Sequence, residues 1–176
     1  MNTTLLSHRL VDGIGYLTHA EVELIKAIAR ALPKDAVCVN IGTGAGTSIL
    51  ALLEERPDLH VHCIDINAEN GLAQLIESNM LNHVTRYLGE SQTMEWRNDK
   101  IDYLFIDGGH LEPEVRGDVI NWLPRMKQGG YILFHDYTSP NWPSVKPTAD
   151  FFMSPYRAIG IADTLAAFKL ERKNES

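Results

Sequence analysis

Short apolar runs of strand length alternate with helix-length amphipathic segments along almost the whole chain, and this alternation constrains the fold more than any other feature. "AVCVNIG" (36–42), "HVHCIDI" (60–66), "VTRYLG" (84–89), "IDYLFID" (101–107) and "GYILFHD" (130–136) read as strands. "LTHAEVELIKAIARAL" (17–32), "TSILALLEE" (47–55), "AENGLAQLIESNML" (68–81) and "EPEVRGDVINWLPRM" (112–126) read as the helices around them. The first opens on a capping box, Thr18 with Glu21 three residues on, and carries Val22, Ile25, Ile28 or Ala29, and Leu32 at helical spacing. In the 112–126 helix, Val115, Val119, Trp122 and Met126 mark the buried stripe, and Asp118 belongs to its packing. A short helix, "VKPTADFFM" (145–153), and two further strands, "YRAIGIA" (156–162) and "TLAAFKL" (164–170), complete the pattern. Strands joined by helical crossovers pair in parallel, and central strands apolar throughout are buried on both faces. The expectation is an α/β chain: a Rossmann-like, doubly wound, mostly parallel seven-stranded sheet in three αβα layers. It forms one domain over residues 1–176, with an N-terminal helix at about 18–31 and a core at about 35–170.

In such sheets ligands bind outside the carboxyl ends of the strands. The residues expected there are Gly42, Asp65, Gly89, Asp107, His110 and Asp136. A net charge of -7 and the lack of a basic cluster argue against nucleic acid as a partner. No apolar run approaches ~18 residues, which excludes a membrane span. The start, "MNTTLLSHRLVDG", lacks the basic-then-apolar order of a secretory leader, so a cytoplasmic location is expected. Cys38 and Cys63 each sit in a strand-like run with no Cys or His cluster nearby, and read as small core residues.

"NIGTGAGTS" places glycines at 42, 44 and 46 between the first strand and its helix, where backbone can turn sharply and approach a ligand near a helix N-terminus. The dinucleotide fingerprint would need glycine at 47; Thr47 stands there, so the pattern is GxGxG. Asp65 ends the second strand, where an acid can accept hydrogen bonds from both ribose hydroxyls. Loop and acid together point to a nucleoside ligand.

GxGxG, an acid after strand two and "LGESQ" after strand three resemble the class I S-adenosylmethionine-dependent methyltransferases. "IDYLFIDGGHLEPEVRGDVINWLPRMKQGGYILFHDY" is similar to one branch of them, the cephalosporin-hydroxylase-like and macrolide sugar O-methyltransferases. The likeness runs from about Leu17 to Leu170. It implies that Gly42, Thr43, Gly44 and Gly46 wrap the methionine part of S-adenosyl-L-methionine, that Asp65 holds the ribose, and that Ser91 and Gln92 border the adenine. Asn40, Ile66 and Asp107 complete the implied cofactor shell. Many class I enzymes carry an acid at the position of Asn40; its side-chain carbonyl can still accept from an ammonium group but adds no charge.

At the ends of strands four and five, Asp107, His135 and Asp136 are candidate ligands for a divalent metal. Their oxygen donors favour Mg²⁺ or Mn²⁺, and a histidine admits iron or zinc. The resembled branch holds its metal with an acid after strand four and an acidic pair after strand five, so His135 departs from that pattern. Neighbours on a regular strand point to opposite faces, so both ligate only if the chain bends; otherwise His135 is a supporting or packing residue. His110, just ahead of a helix whose first turn carries Pro113, is the candidate general base, kept neutral by the helix N-terminus. Asp107 shares the catalytic site with it. Gly108 and Gly109 are expected to keep space free for the acceptor and the methyl donor. Taken singly, such an Asp is a cap and such a His a surface residue; beside a nucleoside loop they form a constellation.

The loop "YTSPNWPSVKP" should overhang this site, with Tyr137 and Trp142 either stacking on a ring or anchoring the loop. With no long insertion to act as a lid, the acceptor pocket is open or completed by a second subunit of a homo-oligomer. The reading reached is metal-assisted O-methylation of a small-molecule hydroxyl: a sugar, a catechol or a secondary metabolite. The alternatives are a nicotinamide oxidoreductase, a non-haem iron enzyme on a 2-His-1-carboxylate site, and a cofactor-binding protein without catalysis.

Overall fold

The computed structural model describes residues 16–98 and 100–172, together with Ser7 and Val11. The stretch read above for a leader, residues 1–13, therefore lies outside the described residues except at those two positions. The described strands are β1 (Val37–Ile41), β2 (His60–Asp65), β3 (Val84–Leu88), β4 (Ile101–Ile106), β5 (Met126–Phe134), β6 (Tyr156–Ala162) and β7 (Leu165–Arg172). The α-helices described within residues 16–172 are α1 (His19–Ala31), α2 (Thr47–Glu55), α3 (Leu72–Glu77), α4 (Glu112–Trp122) and α5 (Val145–Met153). One seven-stranded sheet has the order β3-β2-β1-β4-β5-β7-β6. The first five strands run parallel, whereas β7 is antiparallel to both its neighbours, so the sheet is mixed at one edge.

Alternation along the central strands feeds two separate cores. Cys38, Tyr103, Phe105 and Leu133 face α1 and α2, packing with Val22, Ile25, Ala29 and Leu50. Val39, Ile41, Leu104, Ile106, Ile132 and Phe134 face α4 and α5, packing with Val115, Val119, Trp122 and Ala149. Each fully buried large apolar side chain contributes about 1.5–3 kcal/mol, which is why both layers hold to the sheet. α1 begins on its capping box: the Thr18 hydroxyl accepts from Glu21 N at 3.3 Å, and the Glu21 carboxylate accepts from Thr18 N at 2.8 Å.

Two expected helices are shorter than their sequence pattern. The 68–81 segment is helical only over Leu72–Glu77. Ahead of it, the Asp65 and Asn67 side chains accept from Asn67 N and Glu69 N, which holds the backbone in turns instead. Behind it, Asn79 takes a left-handed conformation. The 112–126 segment leaves the α-helix after Trp122 for a 3₁₀ turn containing Pro124. Met126, expected on the helical stripe, is the first residue of β5.

Register decides what meets at the carboxyl end. Ile41 pairs with Ile64 on one side and Ile106 on the other, and Ile106 pairs with Phe134. The next residues, Gly42, Asp65, Asp107 and His135, therefore line up across four strands. Backbone bonds fix the row: Gly42 N donates to Ile64 O, Asp107 N to Ile41 O and His135 N to Ile106 O, at 2.9, 2.9 and 3.1 Å.

Candidate active site

A groove of about 580 Å³ opens beyond this row, bordered by Gly42, Gly44, Asp65, Ile66, Ser91, Gln92 and Asp107. That volume suits a ligand of nucleoside size. Three other residues expected at the cofactor stand behind the groove and shape it. Asn40 is buried; its Nδ2 donates to Gly42 O at 2.8 Å and its Oδ1 accepts from Ser48 Oγ at 2.8 Å, so its amide braces the glycine loop. Gly46 is the N-cap of α2 at φ +81°. Thr43 lines a smaller cavity of about 120 Å³ beside Asp65.

The Asp65 carboxylate already accepts from Thr43 N at 2.7 Å, Asn67 N at 2.8 Å and Asn70 Nδ2 at 3.1 Å. The Thr43 bond ties Asp65 to the glycine loop, and the Asn67 bond closes the turn that follows Asp65 itself. Asn70, which also borders the groove, is the partner a ribose would replace. Sequence reasoning missed Asn70 because the segment was read as helix.

Beside the groove, Asp107, His110 and Asp136 each turn one ligand atom inward, and these atoms lie within 4.8 Å of one another. His110 Nε2 is 2.9 Å from Asp136 Oδ2 and 3.4 Å from Asp107 Oδ1. It is nevertheless buried with no aligned hydrogen-bond partner. Two carboxylates that converge here fit a divalent cation, with the His110 Nε2, not aligned to hydrogen-bond either of them, beside it. The chain bends as the ligand expectation required: β5 stops at Phe134, and Asp136 takes a left-handed φ of +55°. Such a conformation in a non-glycine residue costs about 1–3 kcal/mol and is held in place by its surroundings.

His110 is not neutral in this setting, contrary to expectation. The carboxylates of Asp107 and Asp136 raise its pKa to about 9, against burial. Two carboxylates at contact distance outweigh one helix dipole. The Trp142 indole stacks on its ring at 4.5 Å with planes 20° apart, and is 40% exposed. Tyr137 is the loop anchor: it is buried, donates from its hydroxyl to Asp150, and accepts from Lys146 Nζ at 2.9 Å.

His135 stands one layer behind the inward-facing group instead of in it. Its Nδ1 is 3.0 Å from Asp107 Oδ1 and 3.3 Å from Asp136 Oδ2, and its Nε2 is 3.5 Å from Glu21 Oε2. Burial lowers its pKa, but the carboxylates of Asp107, Asp136 and Glu21 around the ring more than reverse this, raising it to about 12. Its Nδ1 faces Asp107 and its Nε2 faces Glu21, so neither nitrogen joins the atoms that converge from Asp107, His110 and Asp136. Glu21, itself buried, accepts from Thr164 N at 2.9 Å and Thr164 Oγ1 at 2.6 Å, anchoring the relay to the β6–β7 turn. From sequence Glu21 carried only a capping role; nothing local pairs it with a residue 114 positions away.

Gly109 borders the groove, and it meets a second constraint from the helix that follows. A Cβ there would lie 2.4 Å from the Glu114 carboxylate, which accepts from Leu111 N at 2.9 Å at the start of α4. The clash is with the chain's own helix cap. Among the described residues no helix is long and apolar enough to cross a membrane.

Comparison with known proteins bears on this arrangement. A family model described as a methyltransferase domain matches residues 39–137, more than half of the chain and the whole of the strand-end row. A candidate caffeoyl-CoA O-methyltransferase from Staphylococcus aureus has a similar structure, with a TM-score of 0.77 at 18% identity, covering 96% of this chain and 92% of that one. The MycE methyltransferase of the mycinamycin biosynthetic pathway, solved with Mg, SAH and mycinamycin VI, superposes with a TM-score of 0.71 at 15% identity. It covers 97% of this chain, which spans 56% of MycE. These likenesses show a shared fold. An uncharacterized protein, R132, of Acanthamoeba polyphaga mimivirus is 26% identical over 158 residues, 82% of this chain and 72% of that protein.

Proposed function

The chain belongs to the methyltransferase-domain family whose model spans its residues 39–137, and from that premise we propose that it transfers a methyl group from S-adenosylmethionine to a hydroxyl of a small molecule, assisted by a divalent cation. The observation that carries this reading is the double position of Asp107, which borders the nucleoside-sized groove and belongs to the Asp107–His110–Asp136 group. A methyl donor in the groove and an acceptor at that group would be neighbours. When bound, S-adenosylmethionine supplies an electrophilic sulfonium methyl group, and a divalent cation lowers the cost of ionising the acceptor hydroxyl.

The remaining work belongs to the chain's own residues. Gly42 and Gly44 border the methionine part of the donor, with Asn40, Thr43 and Gly46 holding the loop from behind. Asp65 takes the ribose hydroxyls in exchange for Asn70. Ile66, 76% exposed, offers an apolar surface to a face of the base, and Ser91 and Gln92 offer polar groups to its edge. Asp107 and Asp136 would hold the cation, Mg²⁺ or Mn²⁺ by the oxygen character of the set. With those carboxylates engaged, His110 loses what stabilises its imidazolium, and Nε2 is free to take the acceptor proton. His135 keeps Asp107 and Asp136 in place. Trp142, stacked on His110 and partly exposed, gives the acceptor a flat wall, which suits a sugar, a catechol or a ring-bearing metabolite. MycE, bound to Mg and SAH on the same fold, supports the reading.

The test is transfer of label from methyl-labelled S-adenosylmethionine to a panel of catechols and vicinal-diol sugars, with and without a chelator. Label transfer that stops on chelation is expected. Transfer indifferent to chelation removes the cation, and transfer to amines but never to hydroxyls removes O-methylation.

A further inference from the structure

Ser91 borders the groove, yet its hydroxyl is already committed. Ser91 Oγ donates to Asp118 Oδ1 at 2.5 Å, and Asp118 is completely buried in α4. A hydroxyl has one proton and two lone pairs. With the proton given to a carboxylate, Ser91 can present only acceptor character to anything in the groove.

Residues 91–94 are also fastened to α4 through their backbone. Ser91 O accepts from Asn121 Nδ2 at 2.7 Å and from Trp122 Nε1 at 2.9 Å, and Asn121 Nδ2 also reaches Met94 O at 3.1 Å. Gln92 presses against α4 so closely that a Cβ on Gly117 would fall 2.7 Å from its Cγ. Asn121 and Trp122 already fasten the strip to the helix, so the fastening does not require a carboxylate at 118. Burying one is costly, and Asp118 Oδ2 has no hydrogen-bond partner at all. Burial raises the Asp118 pKa to about 6 while the Ser91 bond opposes it, which leaves the group ionised near neutral pH and able only to accept.

We propose that Asp118 is a positioning residue that fixes the polarity of Ser91, so that the groove selects a purine bearing an amine at C6 over one bearing a carbonyl there. The inference rests on the reading that the adenine of S-adenosylmethionine lies against Ser91 and Gln92. An exocyclic amine can donate to the Ser91 lone pair. A carbonyl oxygen in the same place meets a lone pair instead, and an unmade polar contact of this kind separates ligands by about tenfold or more.

The test measures binding of S-adenosylhomocysteine and S-inosylhomocysteine by calorimetry to the intact chain and to Asp118→Leu, Asp118→Asn and Ser91→Ala. The wild-type chain is expected to prefer the adenosyl compound by at least about tenfold. Asp118→Leu frees the Ser91 proton to donate and should bring the preference below about threefold. Asp118→Asn keeps an acceptor oxygen and should restore it. Equal weakening of both ligands in Asp118→Leu, or an unchanged preference, would mean that Asp118 only packs. If Asp118→Leu does not fold, Ser91→Ala decides: it should lose the preference, and keeping it overturns the proposal. A wild-type chain that binds neither compound brings down the cofactor reading itself. One that binds the adenosyl compound, with a preference independent of residues 91 and 118, brings down this inference alone.

Discussion

Gly42 and Asp107 touch across the ends of β1 and β4: a Cβ on Gly42 would lie 1.9 Å from the Asp107 carbonyl oxygen, at a backbone φ of +78°. The turn that borders the groove is thus seated on the residue shared with the Asp107–His110–Asp136 group. Gly42→Ala should strain the turn by about 1–3 kcal/mol and push Asp107 out of line. A lower melting temperature and at least about tenfold weaker S-adenosylhomocysteine binding are expected. Calorimetry and thermal unfolding both at wild-type values would show that the contact is dispensable.

His110→Ala should slow methyl transfer by about 10²–10⁴-fold, the usual range for a general base. Cofactor affinity should stay close to that of the wild type, because His110 does not border the groove. Single-turnover rates beside a cofactor titration separate the two effects. Undiminished turnover removes His110 as the base.

Cation affinity should rise with pH. The His110 pKa is raised to about 9, so below that value a proton occupies the place between the carboxylates and must leave when a cation binds. Affinity for Mn²⁺ should therefore increase from about pH 6 to about pH 8.5, by up to about tenfold per pH unit for one displaced proton. Titration in buffers of different ionisation enthalpy counts the protons released. A flat profile would place the cation elsewhere.

Glu21 should be a stability residue despite its distance from the groove. Removing it leaves the buried His135 imidazolium without one of its carboxylates, and breaking such a buried pair costs about 3–5 kcal/mol. Glu21→Ala should show this in urea unfolding, and Glu21→Gln, which keeps one acceptor oxygen for either Thr18 N or Thr164 N, should lose less. The sign of the pH dependence follows from the same groups. The His135 contribution is complete below the unfolded histidine value of about 6.5 and is lost as pH rises toward the raised folded one. The Glu21 and Asp136 pKa values are lowered, so their contribution is present above about 4.5 and lost as pH falls. Stability of the metal-free chain should peak between about pH 4.5 and 6.5. A maximum above about pH 8 would contradict the network.

The strands and most helices were legible because burial on two faces leaves an unmistakable apolar run, as in "YLFI", and because Thr18 with Glu21 is a local signal with one meaning. The row Gly42, Asp65, Asp107 was legible too, since parallel register brings residues after consecutive strands to one edge. Long-range partnerships were not. Glu21 with His135, Ser91 with Asp118 and Trp142 with His110 each join elements whose separation in the chain hides the pairing. The raised pKa of His110 in the metal-free chain was hidden for a related reason: sequence brings Asp136 to the same edge but does not give the 2.9 Å contact. The 68–81 helix misled because side-chain acceptors at Asp65 and Asn67 compete with helical bonds only once the turn has formed.

Calorimetric titration of the wild-type chain and of Asp65→Ala with S-adenosylhomocysteine probes the groove most directly. One site per chain is expected, with affinity falling at least about tenfold when the Asp65 carboxylate is removed. A wild-type chain that takes up no S-adenosylhomocysteine, or an Asp65→Ala variant that binds it unchanged, would contradict a nucleoside cofactor at these strand ends.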